Sequence, residues 1–599
     1  MATAQERFTN RLVLISAVEA TAATVAFILA AMTLAWQLGH HFTTLYQDEI
    51  FDQLRFFRAD SGFASLLNYL TTAHNEHHIM TSRLVFIADN YFFRGRLWAQ
   101  VIVTTTLQML SCYISYYVAA RLPGGTHYRP AERALLFMTC LLLFINPNLF
   151  YTLLVPFQVV HAIMAFLVIL AALLIACASE WRQTVANSAA IVSGLILLAI
   201  VATLTLGNAP VILLAALAAA VILQWPLRVA VAIGALAALH TALMLITTKS
   251  VGSPAFHPLA MVKFSLLYLG APFLRFEAWP APYATWHSSP YLAAAFGAVM
   301  PATAIAFAVF RRARPGLGGR LGVFGFMILV VVIITAIAAA HSRAQFGILE
   351  GASRKYASFS ALGWLGAIAV AFSVVRDLVH RPDRPEMLVL GAALVVLLPL
   401  TMRGYLRETR IWHSMIDSNR ESALAEFIHI NNRGRLEFLY PDEKGLAEFI
   451  GDIERNRLGV FSEFPFHLGD DAAAFLAVRD QRTCRGEVQT LAPLPPSDGY
   501  NIFTNPPGTQ FTVSGWAWMD GDEAPPHTVI IVDKNNHIAG VASTTQTGSR
   551  AEDWLGQKLP GDVGWFGFAR LTDPNGAKFY ALSNDLKTYC ALGTVGNWR

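Results

Sequence analysis

Between Glu180 and Glu277 the chain carries not one aspartate or glutamate. The stretch is dominated by Ala, Leu, Val and Ile, and a run of that length without acidic groups belongs in lipid, where backbone polar groups are satisfied inside helices. Only 14% of the 599 residues are charged and 55% are hydrophobic, against roughly 25% charged for an ordinary soluble domain. A single water-soluble globule is therefore excluded. The charges are also divided: up to Met402 there are 25 Lys+Arg against 15 Asp+Glu, and beyond it 19 against 25, so the front part is +10 and the back part −6. Such asymmetry implies two solvents, a bilayer whose inner loops collect arginine and an aqueous compartment holding an ordinary domain. The overall +4 carries no nucleic-acid signal, and no arginine-rich tract with interleaved aromatics is present.

A spanning helix needs about 20 apolar residues. Candidates lie near 12–38, 97–120, 134–151, 160–179, 185–206, 209–226, 229–247, 289–310, 321–340, 359–375 and 387–402, which makes about 11 transmembrane helices. The first is too long for a signal-peptide core and reads as a retained anchor. Arg7 and Arg11 precede it, and Arg121, Arg129, Arg133, Arg182, Arg228, Arg311, Arg312, Arg314, Arg320, Arg376, Arg381 and Arg384 fall in every second loop. The N-terminus is thus expected in the cytoplasm. An odd count places the loops at 42–96, 248–288 and 341–358, and everything after about residue 403, on the other side. The breaks at Asn146-Pro147 and Gly207-Asn208-Ala209-Pro210 could mark re-entrant segments.

Three domains follow: a transmembrane domain at 1–402, an extracytoplasmic helical segment at 403–485, and a β domain at 486–599. Ile416, Leu424, Phe427 and Ile428, then Leu446, Phe449, Ile450 and Ile453, have helical spacing. Later runs such as 528–532, 538–542 and 578–582 alternate with period two between turn signals at 533–536 and 573–576, which predicts a small antiparallel β-sandwich. Its Trp516, Trp518, Trp554 and Trp565 could stack on sugars or fill the core. Cys112, Cys140 and Cys177 fall in predicted spans as packing residues. Cys484 and Cys590 are either a disulfide in an oxidising compartment or two separate thiols.

The first outer loop is the richest in chemistry. Tyr46-Gln47-Asp48-Glu49 follows the first helix, Asp60-Ser61-Gly62 resembles a helix N-cap, and His74-Asn75-Glu76-His77-His78 leads to Arg83. A helix over 75–93 would set Glu76, Met80 and Arg83 on one face, with His74, His77, His78 and Thr81 on the neighbouring one. Carboxylates at 48 and 49, at the rim of the bilayer, are functional candidates, the alternative being that they end the helix in water. Ser353-Arg354-Lys355-Tyr356, with His341, Arg343 and Glu350 before it, opens the tenth span. Adjacent cations on an outer side suggest a phosphate partner, or headgroup binding by snorkelling side chains. Phe157-Gln158-Val159-Val160-His161 opens the fourth span and could line a cavity or bond neighbouring helices. The loop at 248–288, with Lys263, Arg275, Glu277, Trp279, Trp286 and His287, reads as an aromatic belt or an interfacial lid. The order His74, Glu76, His77, His78 lacks the HExxH zinc spacing, and no metal site is assigned.

These features resemble the GT-C class of membrane glycosyltransferases, which use polyprenyl-phosphate sugars. The resemblance rests on Asp48-Glu49 at the outer end of the first helix, Asn75-Glu76-His77 followed by Arg83, Phe157-Gln158, and Ser353-Arg354 with Tyr356, where Lys355 intervenes. It covers most of the front 400 residues and leaves out the β domain. It implies a multi-pass enzyme of a bacterial cytoplasmic membrane, moving a sugar from a polyprenyl-phosphate donor to a cell-surface glycan, or to a protein, on the outer face. Asp48 would be the general base, with Glu49 second. Arg354, Lys355 and Tyr356 would meet the lipid phosphate, Arg83 would either contact it as well or hold Glu76, and Glu76, His77 and Gln158 would orient donor or acceptor sugar. A single base without a carboxylate nucleophile implies inversion at the anomeric carbon. No nucleotide is needed, because the lipid already activates the donor, and a divalent cation could assist as in some members of the class. Two other readings compete, a transporter or flippase of lipid-linked glycans and a glycan polymerase or ligase. The spans are nearly free of acids and show no internal repeat, which suits a surface-reacting enzyme better than a transporter.

Overall fold

The computed structural model describes residues 4–42, 44–45, 50, 52, 55–56, 62–74, 77–121, 128–181, 184–206, 209–247, 257–270, 290–379, 386–495, 502–503, 509–519, 525–546 and 563–594. The chain divides into two compact units, Met1–His41, Ser61–Val85 and Ala99–Trp412 in the first, Phe42–Asp60, Phe86–Trp98 and His413–Arg599 in the second.

The helices run α1 (Ala4–Gly39), α2 (Phe63–Thr71), α3 (Met80–Phe93), α4 (Trp98–Arg121), α5 (Pro130–Phe144), α6 (Phe150–Leu154), α7 (Val159–Ala178), α8 (Val185–Leu206), α9 (Ala209–Ile222), α10 (Leu227–Thr247), α11 (Pro258–Gly270), α12 (Pro290–Ala313), α13 (Gly319–Arg343), α14 (Ala357–Leu378) and α15 (Glu386–Phe427). Among the described residues, ten segments are long and apolar enough to cross a membrane. This is a multi-pass membrane protein. Two shorter apolar helices, α9 and α11, accompany them. The expected span over 209–226 is one of these: α9 has 14 residues, about 21 Å at 1.5 Å per residue, against a hydrocarbon core of about 30 Å. The chain turns at Gln224, whose φ is 53°, before Pro226. The other, α11, lies in what hydropathy treats as an outer loop. At 13 residues with Lys263 inside it, it falls below any spanning threshold. With two short helices beside the long ones, parity no longer decides which side the second unit occupies.

Lipid offers no hydrophobic drive between helices, so close packing of backbones supplies the attraction. A Cβ on Gly270 of α11 would sit 1.7 Å from the Ala293 carbonyl oxygen of α12, and one on Gly297 would sit 2.0 Å from that of Leu266. Only glycine permits this approach. The break after α5 is anchored differently. The Asn146 side chain accepts from the Asn148 N–H (2.9 Å) and donates to the Leu142 carbonyl (3.0 Å) and to Thr401 Oγ1 (2.9 Å). Thr401 lies two residues beyond Pro399, inside α15, and α15 itself, with 42 residues, is about 63 Å long. That is twice the bilayer core, so its polar second half extends out of the membrane.

The second unit contains α16 (Arg433–Leu439), α17 (Glu443–Arg455) and α18 (Ala472–Ala477). Asp442 caps α17 by accepting from the Gly445 N–H at 3.0 Å. Leu446, Phe449, Ile450 and Ile453 form its buried face, as the helical spacing requires. Among the described residues eight strands follow: β1 (Asp480–Gln481), β2 (Cys484–Pro493), β3 (Thr509–Met519), β4 (Thr528–Val532), β5 (Ile538–Gln546), β6 (Gly564–Leu571), β7 (Lys578–Leu582) and β8 (Thr588–Thr594). They do not form a sandwich. They make one sheet in the order β1-β8-β7-β4-β5-β6-β3-β2, curled so that β2 also meets β8, and a Cys484–Cys590 disulfide links those two strands. Sandwich and curled sheet both bury one face of each strand, so alternation along the sequence is the same in either. Val513, Val529, Ile531, Trp565 and Phe579 fill the interior. Trp516 is buried as well, Trp518 is half-buried against it, and Trp554 lies outside the described residues.

Candidate functional site

Within the first unit, four stretches remote in sequence come together around Arg354-Lys355-Tyr356, a single 3₁₀ turn that leads into α14. The turn arises because Ser353 is extended (φ −61°, ψ 145°) and its carbonyl accepts from the Tyr356 N–H at 3.1 Å. Three polar or aromatic side chains are thereby presented in three consecutive positions. Arg354 points to α15, where its guanidinium lies 3.9 Å from the Glu408 carboxylate and 5.7 Å from the Trp412 ring centroid. Lys355 forms an ion pair with Glu350 and sits 5.1 Å over the Tyr356 ring. Tyr356 packs against Tyr268 (4.7 Å) and Phe264 (6.1 Å) of α11. The short helix absent from the sequence reading therefore forms one wall.

A second wall is the start of α7. A 3₁₀ turn, Pro156–Gln158, makes Gln158 the residue that precedes the helix, and its buried side chain is bonded to the His161 ring. His161 in turn meets Phe359 of α14 at 5.8 Å, and it lies within electrostatic reach of both His77 and Lys355. Tyr151 of α6 reaches the Trp412 ring at 6.1 Å. The third stretch is the chain before α3. Its helix begins at Met80 rather than at 75, because His74 and His77 pair as a tight antiparallel bridge, with N–H to carbonyl distances of 2.7 and 2.9 Å. His74 packs on Phe157 at 5.2 Å. The arrangement brings together Arg354, Lys355, Tyr356, His77 and Gln158, and it collects cations and hydrogen-bonding groups at the ends of apolar helices.

Arg83 stands at the C-terminal end of α2. It is fully buried, its Nη1 donates to the carbonyls of Tyr69 (2.5 Å), Leu70 (3.4 Å) and Thr72, and it lies 5.0 Å over the Tyr69 ring. It thus satisfies the carbonyls that α2 leaves open at its C-terminal end. The N-cap of α2 is Gly62, with no side-chain bond. Asp48, Glu49 and Glu76, with Tyr46, Gln47, Asp60, Ser61 and Asn75, lie outside the described residues, as do Gly207, Asn208, Arg275, Glu277, Trp279, Trp286 and His287. Among the described residues no group of three or more His, Cys, Asp or Glu is placed to hold a metal ion.

Sequence reasoning missed Glu408, Trp412 and Tyr268. The first two were detectable: they are four apart, which puts them on one face of a continuous helix. They escaped because the polar half of α15 reads as the start of an aqueous segment. No protein-family model matches this chain, and no curated protein matches it.

Proposed function

We propose that the chain is a membrane glycosyltransferase of the GT-C kind, moving a sugar from a polyprenyl-phosphate donor to a glycan at the outer face of a bacterial cytoplasmic membrane. The observation that carries this reading is the adjacent Arg354-Lys355 pair, held at the head of a membrane helix and sharing its surroundings with Gln158, His161 and His77. Two fixed cations of this kind suit a leaving phosphate whose charge grows as the glycosidic bond breaks. Arg offers a bidentate grip and Lys a point charge. The carboxylates already beside them, Glu408 and Glu350, hold the cations in position until an anionic donor competes for them. Asp48 is the proposed base that takes the acceptor hydroxyl proton, with Glu49 second and Glu76 as a sugar contact. One displacement would invert the anomeric carbon.

The Cys484–Cys590 disulfide supports an extracytoplasmic second unit, since such bonds persist in oxidising compartments. Together with arginines concentrated in alternate loops, it favours a cytoplasmic N-terminus.

The test is turnover in proteoliposomes with a polyprenyl-phosphate sugar and a glycan acceptor. Asp48→Asn should lower the rate by at least about 100-fold. Arg354→Ala and Lys355→Ala should each lower kcat/KM by about 10- to 100-fold, and a melting curve separates this from the stability that Arg354→Ala also loses by removing the cation beside the buried Glu408. Sugar transfer that survives all three changes would refute the assignment. Movement of intact lipid-linked sugar across the bilayer without transfer would instead establish a flippase.

A further inference from the structure

In the second unit, the C-terminal half of α3 and the turn after it carry a feature the reaction does not use. Along α3 polar groups are buried beside Phe86 while aromatic ones are exposed. Arg83 and Asp89 are fully buried and Asn90 nearly so, while Tyr91 is 68% and Phe92 79% exposed. Immediately beyond, Phe92, Phe93, Arg94, Arg96, Trp98 and Ser462 line an open cleft of about 430 Å³, within the size range of small-ligand sites, roughly 300–1,000 Å³.

The cleft is built, not incidental. The Leu97 N–H donates to the Asp89 carboxylate (2.9 Å), and the Gly459 N–H donates to the Arg94 carbonyl (2.8 Å). Arg96 gives Nε and Nη2 to Ser462 Oγ and its carbonyl, both at 3.1 Å, which orients its guanidinium plane. Arg94 stands exposed at the rim. Among the described residues no carboxylate lines the cleft; Glu463, next in the chain, is paired with Arg420.

We propose that this cleft binds the phosphate of an anionic glycerophospholipid from the surrounding leaflet, with Phe92 and Tyr91 inserted at the acyl boundary. Two guanidinium groups at one cleft, with no acid beside them among the described residues, call for an anion, and Arg matches phosphate geometry. The aromatics that continue from the cleft are too exposed to face water and suit the interfacial zone of a bilayer. Apolar groups uncovered to this extent need constant cover, so the occupant is bulk lipid rather than a scarce donor. This site stands apart from the proposed transfer chemistry, and its test does not depend on turnover.

Full-length protein, delipidated in neutral detergent, is mixed with dioleoyl phosphatidylglycerol, dioleoyl phosphatidylcholine, undecaprenyl phosphate or inorganic phosphate. Retained adducts are counted by native mass spectrometry beside a melting curve. Phosphatidylglycerol adducts should exceed those of phosphatidylcholine and fall about tenfold in Arg94→Glu, the loss of one charge-assisted contact. Arg94→Lys should recover part of the binding, and Phe92→Ser should weaken it without changing the preference for anionic lipid. Arg94→Gln serves as the second variant should the charge reversal lower the melting point. Equal binding of the two phospholipids would overturn the proposal, as would adducts indifferent to both Arg94 changes in folded protein. Displacement of phosphatidylglycerol by equimolar undecaprenyl phosphate would make the cleft a donor site instead, and displacement by millimolar phosphate a free-anion site.

Discussion

Arg83 shows how far a residue's chemistry depends on where its neighbours stand. The family resemblance implies that it holds Glu76 or contacts a phosphate; in the structure its guanidinium is buried in the first unit and donates to three carbonyls at the end of α2. Nothing along the sequence announces these three bonds, because their acceptors are backbone oxygens that every residue possesses. Arg83→Met should therefore destabilise the protein by about 2–3 kcal/mol, the scale of charged hydrogen bonds lost in a buried place. Thermal unfolding of the full chain in detergent measures it. A melting point left unchanged, with weaker donor binding, would return Arg83 to a phosphate role. Arg354, Lys355 and Gln158 were legible as polar residues at helix starts. Their counterparts Glu408 and Trp412 needed the course of α15 to be known.

At the scale of elements, composition located the long helices well, since hydropathy is a property each segment carries by itself. Its failures were the short ones. Neither α9 nor α11 fills a 20-residue window, yet α11 supplies Phe264 and Tyr268 to the candidate site and meets α12 through Gly270 and Gly297. That seam leaves no room for a side chain. Gly297→Leu should force α11 and α12 apart at a cost of about 1–3 kcal/mol, the usual range for overpacking, and should shift Tyr268 away from Tyr356. A lower melting point accompanied by reduced sugar transfer is the expected outcome. Gly391, whose added Cβ meets nothing within 4 Å, is the control, and equal effects at the two positions would show that the seam has no special role. In the β region alternation revealed the strands, but the choice between two stacked sheets and one curled sheet lies in which strands pair at long range.

For the whole molecule, the disulfide is a covalent tie within the second unit, spanning 106 residues between β2 and β8. Cys484→Ser with Cys590→Ser should cost about 2–4 kcal/mol, chiefly by releasing the unfolded chain, and calorimetry with and without reductant reads the loss. An unfolding transition unmoved by either treatment would show that the sheet closes without it. What the sequence alone determined is the solvent of each part: lipid for the acid-free stretches, water for the strand-rich end, because transfer free energy sums over local composition. The tertiary structure alone decided which charges meet. Lys355 finds Glu350, Arg354 finds Glu408 and Trp412, and His161 finds Gln158 and Phe359. Those meetings depend on the rotation and approach of helices, which small-residue seams and helix breaks set at a distance from the groups they bring together.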